Sequence, residues 1–173
     1  MVANGQTYPY SKLVFATGAK AFVPPISGGA APEVITLNSL QEYQLAEEQI
    51  SRAERILVMG GGLIGVEIAM DLATSGKAVT VVEPNPRLLA NLIPEFVALP
   101  LENQLKQQGI QLALETGVVA INHSDDSLVA SLSKGKEIEA DEVISAAGLR
   151  ANTWLAKACG LSVNKRTELD KNI

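Results

Sequence analysis

Residues 55 to 85, RILVMGGGLIGVEIAMDLATSGKAVTVVEPN, carry the clearest hydrophobic pattern in the chain. A mostly apolar run, Arg55 to Met59, enters three consecutive glycines. A helical pattern then extends from Leu63 to Ser75, and a second apolar run closes the segment from Ala78 to Glu83. Short apolar runs bounded by turn residues suit strands buried on both faces, and the longer stretch between them suits a crossover helix. The pattern predicts a right-handed βαβ unit.

The rest of the chain reads less uniformly. Lys12 to Thr17 has the same near-continuous apolar character and predicts another buried strand. Pro24, Pro25, Gly28, Gly29 and Pro32 support neither helix nor central strand, which predicts a linker. Ser39 with Glu42 three positions on forms a candidate capping box, opening a helix to Ala53 with Leu40, Tyr43, Leu45 and Ile50 at loosely helical spacing. A further helix is expected from Pro94 or Glu95 to Gln108, bent or shifted by Pro100. GIQLAL supplies a strand. GVVAIN, SLVASLS and KEIEA form an antiparallel meander with Asp125 and Asp126 in a turn, and DEVISAAG is again a buried strand. NTWLAKACG predicts a helix ending at Gly160. The expected fold is α/β: a Rossmann-like three-layer parallel sheet with a three-stranded antiparallel meander.

Composition narrows the function. The 173 residues are 47% hydrophobic with a formal net charge of −5. No basic run is present, which argues against nucleic acid. No stretch of about 18 uninterrupted apolar residues suggests a membrane span, and the first residues lack a secretory pattern, so a cytoplasmic location is expected. Cys159 is the single cysteine; in LAKACGL it reads as a small buried filler rather than a nucleophile. His123 reads as a solvated loop residue, since no second metal ligand of suitable spacing accompanies it. Neither a metal site nor a catalytic acid, base or nucleophile is expected.

The glycines carry the chemistry. Gly60, Gly62 and Gly65 fit G-x-G-x-x-G between a strand and a helix: the first for a tight turn, the second for close approach of a pyrophosphate, the third for helix–strand packing. Phosphates would then meet unpaired amides and the positive end of the helix dipole. Glu83, roughly twenty residues further on, stands where a ribose-binding acid is required. Its carboxylate accepts ribose hydroxyls but repels a 2′-phosphate, which favours NADH over NADPH. Arg87 could soften that preference, although a solvated loop arginine is the simpler reading.

The surrounding motifs resemble a known family. YSKLVFATGAKAFVPPISG is similar to the segment by which two-dinucleotide flavoprotein reductases leave the FAD domain. GGGLIGVEIAMDLATSGKAVTVVE resembles their NAD fingerprint, and DEVISAAGLRANTWLAKACGLSVN resembles their second strand end, usually A-T-G-x-x-P-N. The likeness is to the rubredoxin reductase group of FAD/NAD-dependent pyridine nucleotide oxidoreductases and spans about residues 7 to 164. It implies that Gly60, Gly62, Leu63, Ile64 and Gly65 line the pyrophosphate and Glu83 holds the adenosine ribose. Glu67 would lie near the nicotinamide carboxamide, with a helix-surface acid as the alternative reading. Gly148 would bring backbone close to the nucleotide, and Ala16, Thr17 and Gly18 would face the flavin. Ala147 and Ala151 depart from the usual Thr and Pro, which bears on loop rigidity.

The resemblance further implies NAD(H) as cofactor, with FAD only in a longer parent protein, because the family's FAD fingerprint and later G-D motif are missing here. Residues 1–33 would be a stub of the flavin domain and a linker, 34–150 the NAD-binding domain, and 151–173 a return segment. NKRTELDKNI does not match the expected continuation. The parent would be an NADH-dependent oxidoreductase passing electrons to a rubredoxin-type centre such as flavorubredoxin, in nitric oxide detoxification. The isolated chain would bind NAD(H) without turnover and could dimerise through its exposed stubs. Two alternatives stay open: an NADH-dependent disulfide or peroxide reductase domain, and a non-catalytic dinucleotide-binding module.

Overall fold

The computed structural model describes residues 2–163; the final segment NKRTELDKNI lies outside them. The described residues fall into two compact units. One is Ala21–Leu149, and the smaller is contributed by both ends of the chain, up to Lys20 and from Arg150 onward.

The larger unit is built on a parallel five-stranded sheet in the order β4 (Ile35–Thr36), β11 (Glu142–Ser145), β5 (Arg55–Met59), β6 (Ala78–Glu83) and β7 (Gln111–Leu114). Helices α1 (Leu40–Arg52), α2 (Leu63–Thr74) and α3 (Glu95–Gln107) are its crossovers. A three-stranded antiparallel sheet, β8 (Val118–Ser124), β9 (Ser127–Leu132) and β10 (Glu137–Ala140), is the expected meander. Alternation along β5 explains the layering. Ile56 and Val58 pack with Ala46, Ile50, Val66 and Ala69 of α1 and α2. Leu57 and Met59 point the other way and pack with Ile121, Leu128, Ala130 and Leu132 of the meander. Covered on both faces, the strand carries apolar residues at successive positions. Each fully buried aliphatic side chain contributes about 1.5–3 kcal/mol of transfer free energy. The fold is therefore the three-layer α/β arrangement that the sequence predicts.

The ends of the sheet strands are fixed by charge. Both Glu54 N and Arg55 N donate to Asp141 Oδ2, at 2.9 and 2.8 Å, while Arg55 Nε donates to Oδ1 at 3.1 Å. Hydrogen bonds from the Arg55 guanidinium hold the Asp141 carboxyl below its ordinary value. Glu139 lies 2.8 Å from the same guanidinium and is likewise lowered.

Several details differ from expectation. At α1, Ser39 caps the helix by accepting from Glu42 N at 3.1 Å, and the Glu42 carboxylate reaches back to Asn38 N at 2.6 Å. The buried face, however, is Ala46 and Ile50; Leu40, Tyr43 and Leu45 are exposed. Leu45 is five residues from Ile50, about 140° around the helix, so both cannot face the sheet. Pro100 sits inside α3 without ending it. The hydrogen bond it forfeits is to the carbonyl of Phe96, a residue on the exposed side, where water can replace it. The proline-rich segment read as a linker is a strap seated on β8: Ala30 is fully buried and donates to Ile121 O at 3.1 Å. Gly28 is required there, with φ +101° and a position at which a Cβ would lie 2.0 Å from Ile121 O. His123 is within β8 rather than in a loop, and its Nε2 pairs with Glu33 Oε1 at 2.9 Å.

The smaller unit overturns two expectations. Lys12 to Thr17 forms no strand; Val14 is 84% exposed. A strand of this kind needs neighbours to take up its amides and carbonyls, and no described strand pairs with it. Instead, β1 (Val2–Ala3) and β2 (Gln6–Thr7) form a hairpin around Asn4 and Gly5, both at positive φ as a two-residue Asn-Gly turn demands. Strands β3 (Ala19–Ala21) and β12 (Leu149–Ala151) pair as a short ribbon. In α4 (Trp154–Ala158) the buried residue is Ala156, and Cys159 just beyond it is exposed, not a buried filler. The Ala/Leu-rich helical pattern there does not reveal which side is covered.

Candidate functional site

The chain enters the site at the C-terminal end of β5, the centre of the parallel sheet. Connections leave β5 toward β6 and β7 on one side, and β11 and β4 lie on the other, so the glycine turn occupies the topological switch point. A cavity of about 690 Å³ opens there, lined among others by Met59, Gly60, Gly61, Gly62, Leu63, Ile64, Glu83, Asn85, Ala147 and Gly148. That volume lies within the range of small-molecule and cofactor sites.

Each glycine of the motif has a geometric reason. Gly60 adopts φ +111°, and a Cβ on it would meet Ala146 O at 2.6 Å. A Cβ on Gly65 would lie 1.9 Å from Gly60 O, so the buried Gly65 seats α2 against the turn. Gly62 is different: no protein atom lies within 4 Å of the Cβ position, which faces open space in the cavity wall. The middle residue, Gly61, is also confined: a Cβ on it would lie 2.5 Å from Leu88 Cδ2 and 3.0 Å from the Glu83 side chain.

Hydrogen bonds decide which amides are free. Gly60 N donates to Val82 O at 2.8 Å, and Gly61 N donates to Glu83 Oε2 at 2.6 Å. Helix α2 begins at Leu63 with Gly62 as its N-cap and no side chain bonded to its first turn. The first-turn amides of a helix have no intrahelical partner. Leu63 and Ile64 are about half exposed at the cavity mouth. The result is an uncapped helix N-terminus facing a cavity of nucleotide size, an arrangement that attracts anions.

Glu83 is 7% exposed, at the end of β6. Besides Gly61 N, it accepts from Asn85 N at 2.8 Å and Asn85 Nδ2 at 2.6 Å, both on Oε1. The loop beyond is pinned in two places. Leu89 N donates to Gly61 O at 2.8 Å, and Leu88 N donates to the buried Glu102 Oε1 at 2.9 Å. Arg87 is not the freely solvated loop residue expected; its guanidinium is paired with Glu95 at 3.0 Å.

Of the predicted residues, Gly60, Gly62, Leu63, Ile64, Glu83 and Gly148 all line this cavity. Gly65 lies beneath the turn, and Glu67 is exposed on α2 away from the lining. Ala16, Thr17 and Gly18 lie in the smaller unit. There, Thr17 Oγ1 donates to Asn152 O at 2.6 Å, Asn152 Nδ2 donates to Thr17 O at 2.8 Å, and Asn152 N donates to Gly18 O at 2.8 Å. Asn152, at the last position of the second A-T-G-x-x-P-N-like motif, thus clasps the first A-T-G. Sequence reasoning missed Gly61, Asn85, Glu102 and Asn152. Of these, Asn152 stood at the last position of a motif that the sequence presents, whereas Asn85, two residues beyond Glu83, carried no pattern of its own. Among the described residues no group of His, Cys, Asp and Glu is arranged to hold a metal ion.

The chain matches, over residues 1–173, the family profile described as pyridine nucleotide-disulphide oxidoreductase. It is 61% identical over 173 residues to a Vibrio vulnificus (strain CMCP6) protein named nitric oxide reductase FlRd-NAD(+) reductase, covering all of this chain and 45% of that relative. The chain therefore spans less than half the length of that curated relative. Among solved structures it is similar to a water-forming NADH oxidase from Lactobacillus brevis bound to NADH, with TM-score 0.85, 29% identity, and coverage of 93% of this chain and 35% of that one. It is also similar to an NAD-dependent persulfide reductase from A. fulgidus, with TM-score 0.83, 36% identity, and coverage of 95% and 31%.

Proposed function

The chain belongs to the pyridine nucleotide-disulphide oxidoreductase family, and from that premise we propose that it is the NADH-binding part of an FAD-dependent reductase that delivers electrons to a rubredoxin-type centre. The observation that carries the reading is the uncapped N-terminus of α2 opening into the switch-point cavity beside a buried acid. The donor set fits NADH. Unpartnered amides of Leu63 and Ile64 would meet the pyrophosphate, the bare face of Gly62 would let it approach, and Glu83 would take the adenosine ribose. Gly148 would border the nucleotide, and Glu67 would lie toward the carboxamide. Toward FAD, the chain would offer the backbone edge Ala16 to Gly18.

Bound together, NADH and FAD would supply the hydride and single-electron chemistry, while this chain's task would be to hold the nicotinamide coenzyme in place through the α2 start and Glu83. No side chain of this chain needs to act as acid, base or nucleophile. The name of the Vibrio relative makes flavorubredoxin, in nitric oxide detoxification, the favoured acceptor. In this reading residues 1–33 and 151–173 belong with the flavin side and 34–150 with NADH. The exposed Tyr8, Tyr10, Val14 and Trp154 would be covered there, or would drive dimerisation of the isolated chain, which would bind NAD(H) without turnover. Among the described residues no helix is long and apolar enough to cross a membrane; a cytoplasmic location is part of the proposal.

The likeness to a persulfide reductase favours one second reading, a reductase of sulfur–sulfur bonds. It requires a redox cysteine, and Cys159, the only one in the sequence, belongs to the smaller unit and is not among the residues lining the cavity. Calorimetric titration of NADH and NADPH into the full chain tests the main reading. A like charge about 4 Å from Glu83 costs about 1–4 kcal/mol, so NADH should bind about ten- to a thousandfold more tightly. NADPH binding equally well would overturn it, and an acceptor assay with rubredoxin-type against disulfide or persulfide substrates separates the two reductase readings.

A further inference from the structure

Glu83 meets the cavity with most of its acceptor capacity already used. Oε1 takes both Asn85 N and Asn85 Nδ2, at 2.8 and 2.6 Å, and Oε2 takes Gly61 N at 2.6 Å. A carboxylate offers about four lone-pair sites, so about one remains, on Oε2. The adenosine ribose brings two neighbouring hydroxyls. Glu83 alone cannot accept both without releasing a bond that shapes the turn. The Asn85 amide carries its own acceptor, Oδ1, on the other branch of the amide from the Nδ2 that donates to Glu83, and Asn85 lines the same cavity.

We propose that Asn85 is the second half of the ribose site: its Nδ2 fixes the Glu83 carboxylate, and its Oδ1 accepts one ribose hydroxyl while Glu83 Oε2 accepts the other. This rests on the NADH reading above. The division of labour also sharpens cofactor choice. A 2′-phosphate would meet two acceptor oxygens there, against which the one N–H left on Asn85 Nδ2 is a weak counterweight, and the cation nearest in sequence, Arg87, is paired through one nitrogen with Glu95. Asn85 is therefore a specificity determinant as well as a brace, and the two roles separate experimentally.

The test measures binding of four ligands to the full chain and to its Asn85→Ala and Asn85→Ser variants: NADH, its adenosine 2′-deoxy and 3′-deoxy analogues, and reduced nicotinamide mononucleotide, which lacks the adenosine half. In the unsubstituted protein each deoxy analogue should bind about tenfold more weakly than NADH. In Asn85→Ala, NADH should weaken about tenfold. One of the two deoxy penalties should shrink to about twofold while the other persists, and the mononucleotide should bind unchanged. Asn85→Ser, which keeps a hydroxyl at the site, should fall between the two and guards against a failure of Asn85→Ala to fold. If both deoxy penalties survive in the variants, or mononucleotide binding falls in step with NADH, Asn85 only braces the turn and the proposal is overturned. Failure of the unsubstituted protein to bind NADH at all would instead remove the reading beneath it, and the proposal with it.

Discussion

Arg55–Met59 and Lys12–Thr17 are written in nearly the same alphabet: a basic residue followed by a short apolar run. The first is the central strand of a parallel sheet, with Leu57 and Val58 fully buried; the second belongs to no strand or helix and leaves Val14 84% exposed. The difference lies in what stands on either side. β5 has β6 and β11 in register along its length, and layers above and below. Residues 12–17 have no described strand alongside. An apolar run thus encodes a demand for cover, and the neighbours that supply the cover decide the structure.

Truncation probes the contrast most strongly. Leu57→Ala should cost about 3–4 kcal/mol, since it empties space between two packed layers, whereas Val14→Ala should change stability by under about 0.5 kcal/mol. Comparable losses in chemical denaturation would break the comparison. Next comes Gly65→Ala, which forces a methyl into the Gly60 carbonyl. It should cost about 3 kcal/mol and abolish NADH binding. In contrast, Gly18→Ala should cost about 1 kcal/mol, because its φ of +66° is strained for alanine but no atom lies within 4 Å of the Cβ position.

The smallest effect is electrostatic. Asp141 ties the start of β5 to the start of β11, and the Arg55 guanidinium holds its carboxyl below the usual 3.8. The folded state therefore releases this proton more readily than the unfolded chain. The resulting stability is complete above about pH 4 and fades as pH falls through the lower folded value. Because the site is partly exposed, Asp141→Asn should cost only about 1 kcal/mol at neutral pH. It should also flatten the acid limb of a plot of Tm against pH; an unchanged limb would show that the pair contributes nothing. The adjoining Glu142 is shifted the other way, first by burial and then by Glu33 and Asp141, so it should regain a little stability on protonation.

The same contrast explains what could be read in advance. The βαβ unit was legible to within a residue because strand runs, glycines and the acid all fall within one contiguous stretch and need no distant information. β4 and β12, of two and three residues, are too short to leave a period. The proline-rich strap looked like a linker because its burial depends on β8, about 90 residues away, as the Ser27–Ala120 bridge illustrates. Asn152 ends a recognisable motif, but its bonds could not be read for a similar reason: its partners, Thr17 and Gly18, lie at the other end of the sequence. At the site itself, the glycines and Glu83 were legible by type and spacing. The Asn85 bond was not, because a polar residue after a strand is ordinarily just a turn former.

Gly60 and Gly61 direct their own amides inward, to Val82 O and Glu83, leaving only the helix start for a guest. The turn is thereby rigid before any coenzyme arrives, and the entropy that a floppy phosphate loop would surrender on association has already been surrendered during folding. On the NADH reading, coenzyme would enter and leave such a preorganised cradle without a loop-ordering step.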